Sequence, residues 1–130
     1  MISPVPITGL YAGIQALIAI KLVFDVGQLR GQSRISIGDG GDAALHLAIR
    51  KHANWSEHVP FALLLMGLLE LGGAHALLLH ALGLTLLIAR VAHPIGLKVE
   101  TISSPARMIG AAGTLLVTLI AAVALIWRGI

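Results

Sequence analysis

The chain of 130 residues is far more apolar than a soluble protein of its size. Hydrophobic residues make up 57% of it and charged residues 12%, whereas a soluble domain averages roughly 45–50% and 25%. The mean hydropathy of +0.92 indicates one domain that lies mostly in a bilayer. The absence of cysteine excludes disulfides, thiolate metal sites and a cysteine nucleophile. A net charge of +3 without a dense basic run argues against nucleic-acid binding.

Four segments approach the roughly 20 apolar residues that a helix needs to cross a membrane. The first is not a secretory signal, because the first cation is Lys21 and no basic region precedes it. The sequence therefore predicts an all-α membrane protein, with residues 1–130 forming one bundle of four transmembrane helices. The segments run from about Pro4 to Leu29, Ala43 to Leu71, Ala74 to Leu97 and Met108 to Trp127.

The connections between these segments differ in character. The first, "RGQSRISIGDGGD", is glycine-rich and polar, and the second, "LGGAH", predicts a tight turn. The third, "KVETISSPAR", contains Ser103 and Ser104, either of which suits the cap of the fourth helix, and Pro105 suits its first turn.

The cations are distributed unevenly about these four spans. An even number of spans puts both termini on one side, where Arg128 is nearly the only cation. Cation-rich connections face the cytoplasm in most membrane proteins. We therefore expect both termini to face away from the cytoplasm. The cations predicted to lie on the cytoplasmic side are Arg30, Arg34, Arg50, Lys51, Lys98 and Arg107.

The second helix carries polar residues on one narrow face. With about 100° per residue, Arg50 lies about 40° from His46, Asn54 about 80° and Glu57 about 20°. Ionisable residues at membrane depth are costly and usually line a functional site. In the third helix, Arg90 and His93 share one side near the same end. Two polar faces at one depth predict a shared polar site.

The residue types at this site indicate the class of ligand. Cations bind carboxylates, an asparagine offers both a donor and an acceptor, and a glutamate accepts from an ammonium group. A zwitterionic, peptide-like ligand fits this set. For Lys21 and Asp25, four residues apart on the first helix, a structural ion pair is the better interpretation.

Two other classes of protein have to be weighed. A small four-helix drug transporter would want an acidic residue at mid-membrane depth in the first helix, and Asp25 is the only candidate, with Lys21 one turn away. A haem protein would use facing histidines, for which His46 and His93 are a conceivable pair.

The stretch "RKHANWSEHVP" resembles the signature of the MAPEG superfamily, the membrane-associated proteins in eicosanoid and glutathione metabolism. The matching residues are Arg50, Asn54, Glu57, His58 and Pro60. "RVAH" in helix three, "PAR" opening helix four and "ISIGDGGD" in the first loop also look like elements of this family, the last like its small bacterial members.

This resemblance implies a left-handed four-helix bundle that assembles as a homotrimer in the bacterial inner membrane. It also implies glutathione bound between subunits near the cytoplasmic face. Leu97 stands where several members have a tyrosine that contacts glutathione. The residues that the resemblance places around glutathione are Arg50, His52, Asn54, Glu57, His58, Arg90 and His93.

The resemblance also implies a reaction. Arg30 and Arg107 are similar to the arginines proposed to stabilise the glutathione thiolate. A guanidinium bonded to sulfur favours the thiolate and lowers its pKa. The bilayer would supply a lipophilic electrophile or hydroperoxide, so the expected activity is that of a glutathione transferase or peroxidase. A member that keeps the fold without the activity is the remaining alternative.

The predicted orientation in the membrane is testable with fused reporters. An enzyme that is active only outside the cytoplasm, fused after Arg128, should be active, because the cation-rich connections are expected to stay inside. The same reporter inserted at Gly40 should be inactive. Activity at Gly40 and none at Arg128 would reverse the predicted orientation.

Overall fold

The computed structural model describes residues 4–102 and 104–129, and these residues form four α-helices. They are α1 (Pro6–Ser33), α2 (Ala43–Leu71), α3 (Ala76–Gly96) and α4 (Pro105–Gly129). The predicted bounds of α2 are met at both ends. The helix α1 continues four residues beyond the predicted Leu29, and α4 begins three residues before the predicted Met108, at Pro105.

Three of the helices, α1, α3 and α4, are long and apolar enough to cross a membrane. The helix α2 is longer than all of them, at 29 residues, but its composition falls short because polar residues fill its first half. The four-helix bundle is confirmed, and membrane-spanning composition is confirmed for three of its helices.

The two central helices of the bundle are α2 and α3. Within the described ranges α1 packs against α2 and α3, and α4 packs against the same two helices, while α1 and α4 do not touch. The polar residues of α2 and α3 therefore lie on the two helices that contact every other helix.

The start of α1 and the end of α4 lie at the same end of the bundle. The carboxylate of Glu70, at the end of α2, contacts the first turn of α1, and Arg128, at the end of α4, donates to the carbonyl of Gly73 at 3.3 Å. The loops that follow α1 and α3 consequently lie at the opposite end.

The core is apolar and draws on all four helices. Large aliphatic side chains of α2 and α3 provide most of it, and their close packing, rather than their removal from water, stabilises the contacts between helices in a bilayer. The buried members are Tyr11, Val59, Ala62, Met66, Leu69, Leu79, Leu82, Leu86, Val117 and Ala121. The outward faces of α1 and α4 remain apolar too, including Phe24 at 73% exposed and Leu119 at 62%, as expected for surfaces that contact lipid or other helices.

Two glycines of α3 allow its neighbours to approach closely. A Cβ on Gly83 would lie 2.2 Å from the ring of Tyr11, so this glycine admits the aromatic ring of α1. A Cβ on Gly96 would lie 2.1 Å from the backbone nitrogen of Arg107. The end of α3 therefore packs directly on the backbone of the first turn of α4.

The starts of α2 and α4 carry the caps that their sequences favour. The side chain of Asp42 accepts from the backbone nitrogens of Ala44 and Leu45 at 2.9 and 3.1 Å. Ser104 accepts from the backbone nitrogen of Arg107 at 3.2 Å, which confirms its predicted role. The other candidate cap, Ser103, lies outside the described residues.

Glu70 caps a helix other than its own. Its two carboxylate oxygens accept from the backbone nitrogens of Ile7 at 2.8 Å and Thr8 at 2.7 Å, in the first turn of α1. The side chain of the N-cap residue Val5 provides no such bond. No local pattern indicates this role, because the acceptor lies more than 60 residues from its donors.

Removing this carboxylate should weaken the docking of α1. Hydrogen bonds to a charged group contribute about 1.5–3 kcal/mol, and a negative charge at a helix start adds favourable interaction with the helix dipole. We expect Glu70→Ala to lower the free energy of unfolding by about 1–3 kcal/mol, and Glu70→Gln, which keeps one acceptor, to lower it less.

Thermal unfolding in a mild detergent measures this effect. Glu100→Ala is the matched control, because Glu100 is exposed in the loop before α4 and should leave the melting temperature unchanged. A Glu70→Ala protein that melts with the parent would contradict the capping role.

Candidate functional site

The polar face of α2 is graded from exposed to buried. Nη1 of Arg50 lies 3.7 Å from Oε1 of Glu57, so the two side chains form a loose ion pair. The side chain of Arg50 is 50% exposed and that of Glu57 is 51% exposed. Asn54 lies between them in sequence and is half-buried. The pair is available to a ligand on the outside, while the side-chain oxygen Oδ1 of Asn54 is bonded on the inside.

The inward partner of Asn54 is Arg90 of α3. Nη1 of Arg90 donates to Oδ1 of Asn54 at 2.9 Å, and Nη2 donates to the backbone carbonyl of Gly110 in α4 at 2.8 Å. Arg90 is only 2% exposed. One guanidinium thus connects three helices at the level of the polar face, and the predicted meeting of the polar faces of α2 and α3 occurs through this side chain.

The contact between α3 and α4 is unusually close beside Arg90. A Cβ on Gly110 would lie 2.5 Å from the Cβ of His93 and 2.7 Å from its Cα. His93 is buried, at 6% exposed, against this bare backbone. The close approach brings the Gly110 carbonyl within reach of Arg90, and the hydroxyl of Thr114 donates to the same carbonyl at 2.8 Å.

Two cavities adjoin these residues. A small one of about 90 Å³ is lined by Asn54, His58 and Arg90, together with Ala111, Thr114 and Leu115 of α4. A larger one of about 410 Å³ opens at the end of the bundle. Arg50, Leu97 and Lys98 line the larger cavity with residues of the first loop, Asp39 and His46 among them. Leu97 therefore sits beside Arg50.

Arg30 and Arg107 lie at the same end of the bundle as Arg50, and each holds a loop. Nη1 of Arg30 donates to the carbonyls of Ile35 at 3.3 Å and Gly38 at 2.9 Å. Nη1 of Arg107 donates to the carbonyl of Ile102. Both side chains fix the connections that border the polar site, and no hydrogen bond or ion pair joins either one to Asn54, Glu57 or Arg90 within residues 4–102 and 104–129.

The remaining predicted residues are placed as follows. His58 lines the small cavity beside Arg90. His52 is half-buried on α2, and its backbone carbonyl accepts from the hydroxyl of Ser56 at 3.0 Å. His46 contacts the carboxylate of Asp39 in the first loop. Among the residues that the structure describes, no three His, Asp or Glu side chains gather as metal ligands would.

The first loop is held by charge as well as by caps. The hydroxyl of Ser33 donates to Asp42 at 2.6 Å, and this bond, with the backbone nitrogens at the start of α2, lowers the pKa of Asp42. The backbone nitrogen of Gly41 and the contact with His46 lower the pKa of Asp39. Both carboxylates are therefore ionised at neutral pH on one border of the larger cavity.

The predicted pair on α1 is confirmed. Nζ of Lys21 lies 2.7 Å from Oδ2 of Asp25, as an exposed ion pair one turn apart. Because Lys21 is paired with Asp25, this carboxylate is not the lone acidic group that a transporter of the drug-exporting kind would need.

The sequence of this four-helix bundle matches one known family of membrane proteins. The profile of the MAPEG family matches residues 8–127, which include all four helix cores. The chain belongs to the MAPEG family. The family expected from "RKHANWSEHVP" is therefore confirmed, and the described four-helix bundle is that of a MAPEG membrane protein.

Curated relatives agree with this assignment. The Inner membrane protein YecN of Escherichia coli (strain K12) is 42% identical over 90 residues, which cover 69% of this chain and 69% of the relative. The protein of the same name from Escherichia coli O6:H1 (strain CFT073) has the same identity and coverage. No solved structure matches the chain significantly.

Sequence reasoning missed one part of this polar site. The backbone carbonyl of Gly110 is an acceptor for Arg90, and no residue pattern announces a carbonyl. In the sequence, Gly110 indicates only a small residue that allows close helix contact, and nothing in the pattern indicates its partner in α3.

Proposed function

We propose that this MAPEG protein binds glutathione in the inner membrane and uses it as a transferase or peroxidase on lipophilic electrophiles or hydroperoxides. The observation that carries the proposal is the graded polar face of α2, on which an exposed arginine–glutamate pair flanks an asparagine held from behind by a buried arginine. The inner membrane is the location named for the relatives YecN.

The groups on this face match the groups of glutathione. Glutathione carries two carboxylates, one ammonium group, two amides and a thiol. A guanidinium binds a carboxylate through two parallel bonds, which suits Arg50, and Glu57 suits the ammonium group. Their separation of 3.7 Å is longer than a direct hydrogen bond, so either side chain turns to a ligand without the loss of a strong partner.

The surroundings suit a second, apolar substrate. The larger cavity of about 410 Å³ is lined by the cations Arg50 and Lys98 and also by the apolar residues Leu97 and Val99. Leucine at position 97 lacks the hydroxyl of the tyrosine that several family members have there, and it leaves an apolar wall. An electrophile that enters from the bilayer would meet this wall next to the bound thiol.

Replacing Arg50 tests the binding half of the proposal. Removing one partner of a desolvated charge pair costs about 2–5 kcal/mol, so Arg50→Ala should weaken glutathione binding by roughly 30-fold or more. Isothermal titration in detergent measures the affinity. Lys51→Ala is the matched control, because the neighbouring Lys51 lines a different cavity between α1 and α2. Unchanged affinity in Arg50→Ala would place the site elsewhere.

The chemical half of the proposal assigns the thiol to Arg107. A thiol is only a few per cent ionised at neutral pH, and a nearby guanidinium favours the thiolate. Arg107 lies in the first turn of α4, where the positive end of the helix dipole favours an anion as well. Arg30 competes for this role from the end of α1, where its Nη1 already serves two loop carbonyls.

The ultraviolet absorbance of bound thiolate, titrated against pH, separates these two arginines. We expect Arg107→Ala to raise the apparent pKa of the bound thiol and to slow turnover, because the cation that favours the thiolate is gone. Its affinity for glutathione should fall much less than that of Arg50→Ala. A raised pKa in Arg30→Ala alone would transfer the role to Arg30, and no change in either would remove thiolate activation from the proposal.

We also propose that the protein works as a homotrimer. In a single bundle the half-exposed side chains of Arg50 and Glu57 have no other helix to cover them, and ionisable groups at membrane depth are costly unless protein or water surrounds them. A second copy packed against this face of α2 would cover them and complete the binding site. Native mass spectrometry in mild detergent should show trimers, and monomers alone under the same conditions would overturn the assembly.

A further inference from the structure

Arg90 is a buried charge without an opposite charge. It is 2% exposed, and no carboxylate of residues 4–102 and 104–129 lies within ion-pair distance of it. Its Nε has no hydrogen-bond partner either. A buried guanidinium without a counter-ion carries a large desolvation penalty, which destabilises the fold. Its two hydrogen bonds, to Asn54 and to Gly110, therefore point to a functional role.

The bond to Asn54 fixes the orientation of that amide. A guanidinium has only donors, and an asparagine side chain has one oxygen that accepts and one nitrogen that donates. The atom 2.9 Å from Nη1 of Arg90 is therefore Oδ1. If the amide were turned over, two donors would face each other in a buried place, which is strongly unfavourable.

Fixing the oxygen also fixes the nitrogen. Nδ2 of Asn54 is directed away from Arg90, and no acceptor from the described part of the chain bonds to it. Asn54 shares its helix face with Arg50 and Glu57, whose side chains are half-exposed. On this face Asn54 thus has a donor to offer, and its acceptor is already used.

We propose that Arg90 is a positioning residue, which holds Asn54 so that its amide nitrogen binds a carbonyl or carboxylate oxygen of the ligand. The inference rests on the proposed function and deepens it. With Arg50 and Asn54 both donating, two positions of the face select oxygen acceptors. Glu57 alone accepts, and the ammonium group of a zwitterionic thiol peptide is directed to it.

The role of Arg90 differs from direct ligand contact in a measurable way. If it acts through Asn54, replacing it matters only while Asn54 is present. Arg90→Lys keeps the charge but cannot serve Asn54 and Gly110 with one planar group. We expect it to weaken glutathione binding about 10-fold in the parent and less than about 2-fold in an Asn54→Ala background. An equal loss in both backgrounds would overturn the inference.

Asn54→Asp is a second test that does not disturb Arg90. It keeps an acceptor for Arg90 and gives it a counter-ion, but it replaces the outward donor with an acceptor. The melting temperature should stay at or above that of the parent, while glutathione affinity falls by roughly 30-fold or more. An Asn54→Asp protein that binds glutathione as the parent does would overturn the donor role of Asn54.

A measurement without glutathione separates this inference from the proposed function. The side-chain amide signal of Asn54 in ¹⁵N-labelled protein is identified by its loss in Asn54→Asp. We expect Arg90→Lys to shift this signal in the absence of ligand, and an unshifted signal would overturn the positioning role. A shifted signal in a parent protein that binds no glutathione would support the orientation of Asn54 and overturn the proposed function alone.

Discussion

The site end of the bundle depends on one buried guanidinium. Arg90 extends from α3 to the side chain of Asn54 in α2 and to the backbone of α4 at Gly110. The bond to Gly110 requires that its carbonyl accept a further hydrogen bond and that the backbone of α4 lie close to α3. The absence of a side chain at Gly110 provides this approach, because His93 fills the space where a Cβ would stand. The polar face of α2 is therefore held by a contact made beneath it.

The opposite end is held by different means. The carboxylate of Glu70 binds the first turn of α1, and the ring of Tyr11 packs over Gly83 of α3. The hydroxyl of Tyr11 lies 3.2 Å from Nδ1 of His80 and also donates to the carbonyl of His80 at 3.2 Å. These contacts fix α1 against the two central helices. Since α1 and α4 lie on opposite sides of α2 and α3, each leaves an apolar outer surface for lipid or a second copy.

The different contacts at the two ends of the bundle explain why α2 is the least apolar of the four helices. As a central helix it contacts the three others, so its second half builds the core while its first half presents polar groups at the loop end. Its exposed arginine and glutamate are tolerable in a bilayer only if they are covered or solvated. The same requirement supports both the proposed ligand and the proposed trimer, because each brings polar or protein surface to that face.

The sequence by itself determined the family, the four helices and the grouping of polar residues on α2. Hydropathy, helical periodicity and the stretch "RKHANWSEHVP" are local properties of the chain, and local properties fix which residues form a helix and which share a face. The Lys21–Asp25 pair and the cap at Ser104 followed from spacing for the same reason. Only the tertiary structure decided that Arg90 lies behind Asn54 and that Glu70 caps α1. It also decided that Arg30 and Arg107 hold loop carbonyls. The contacts of Arg90 and Glu70 join different helices, and no local pattern encodes the distance between helices that makes them. The contacts of Arg30 and Arg107 are close in sequence, but they bind backbone carbonyls, which residue types do not distinguish.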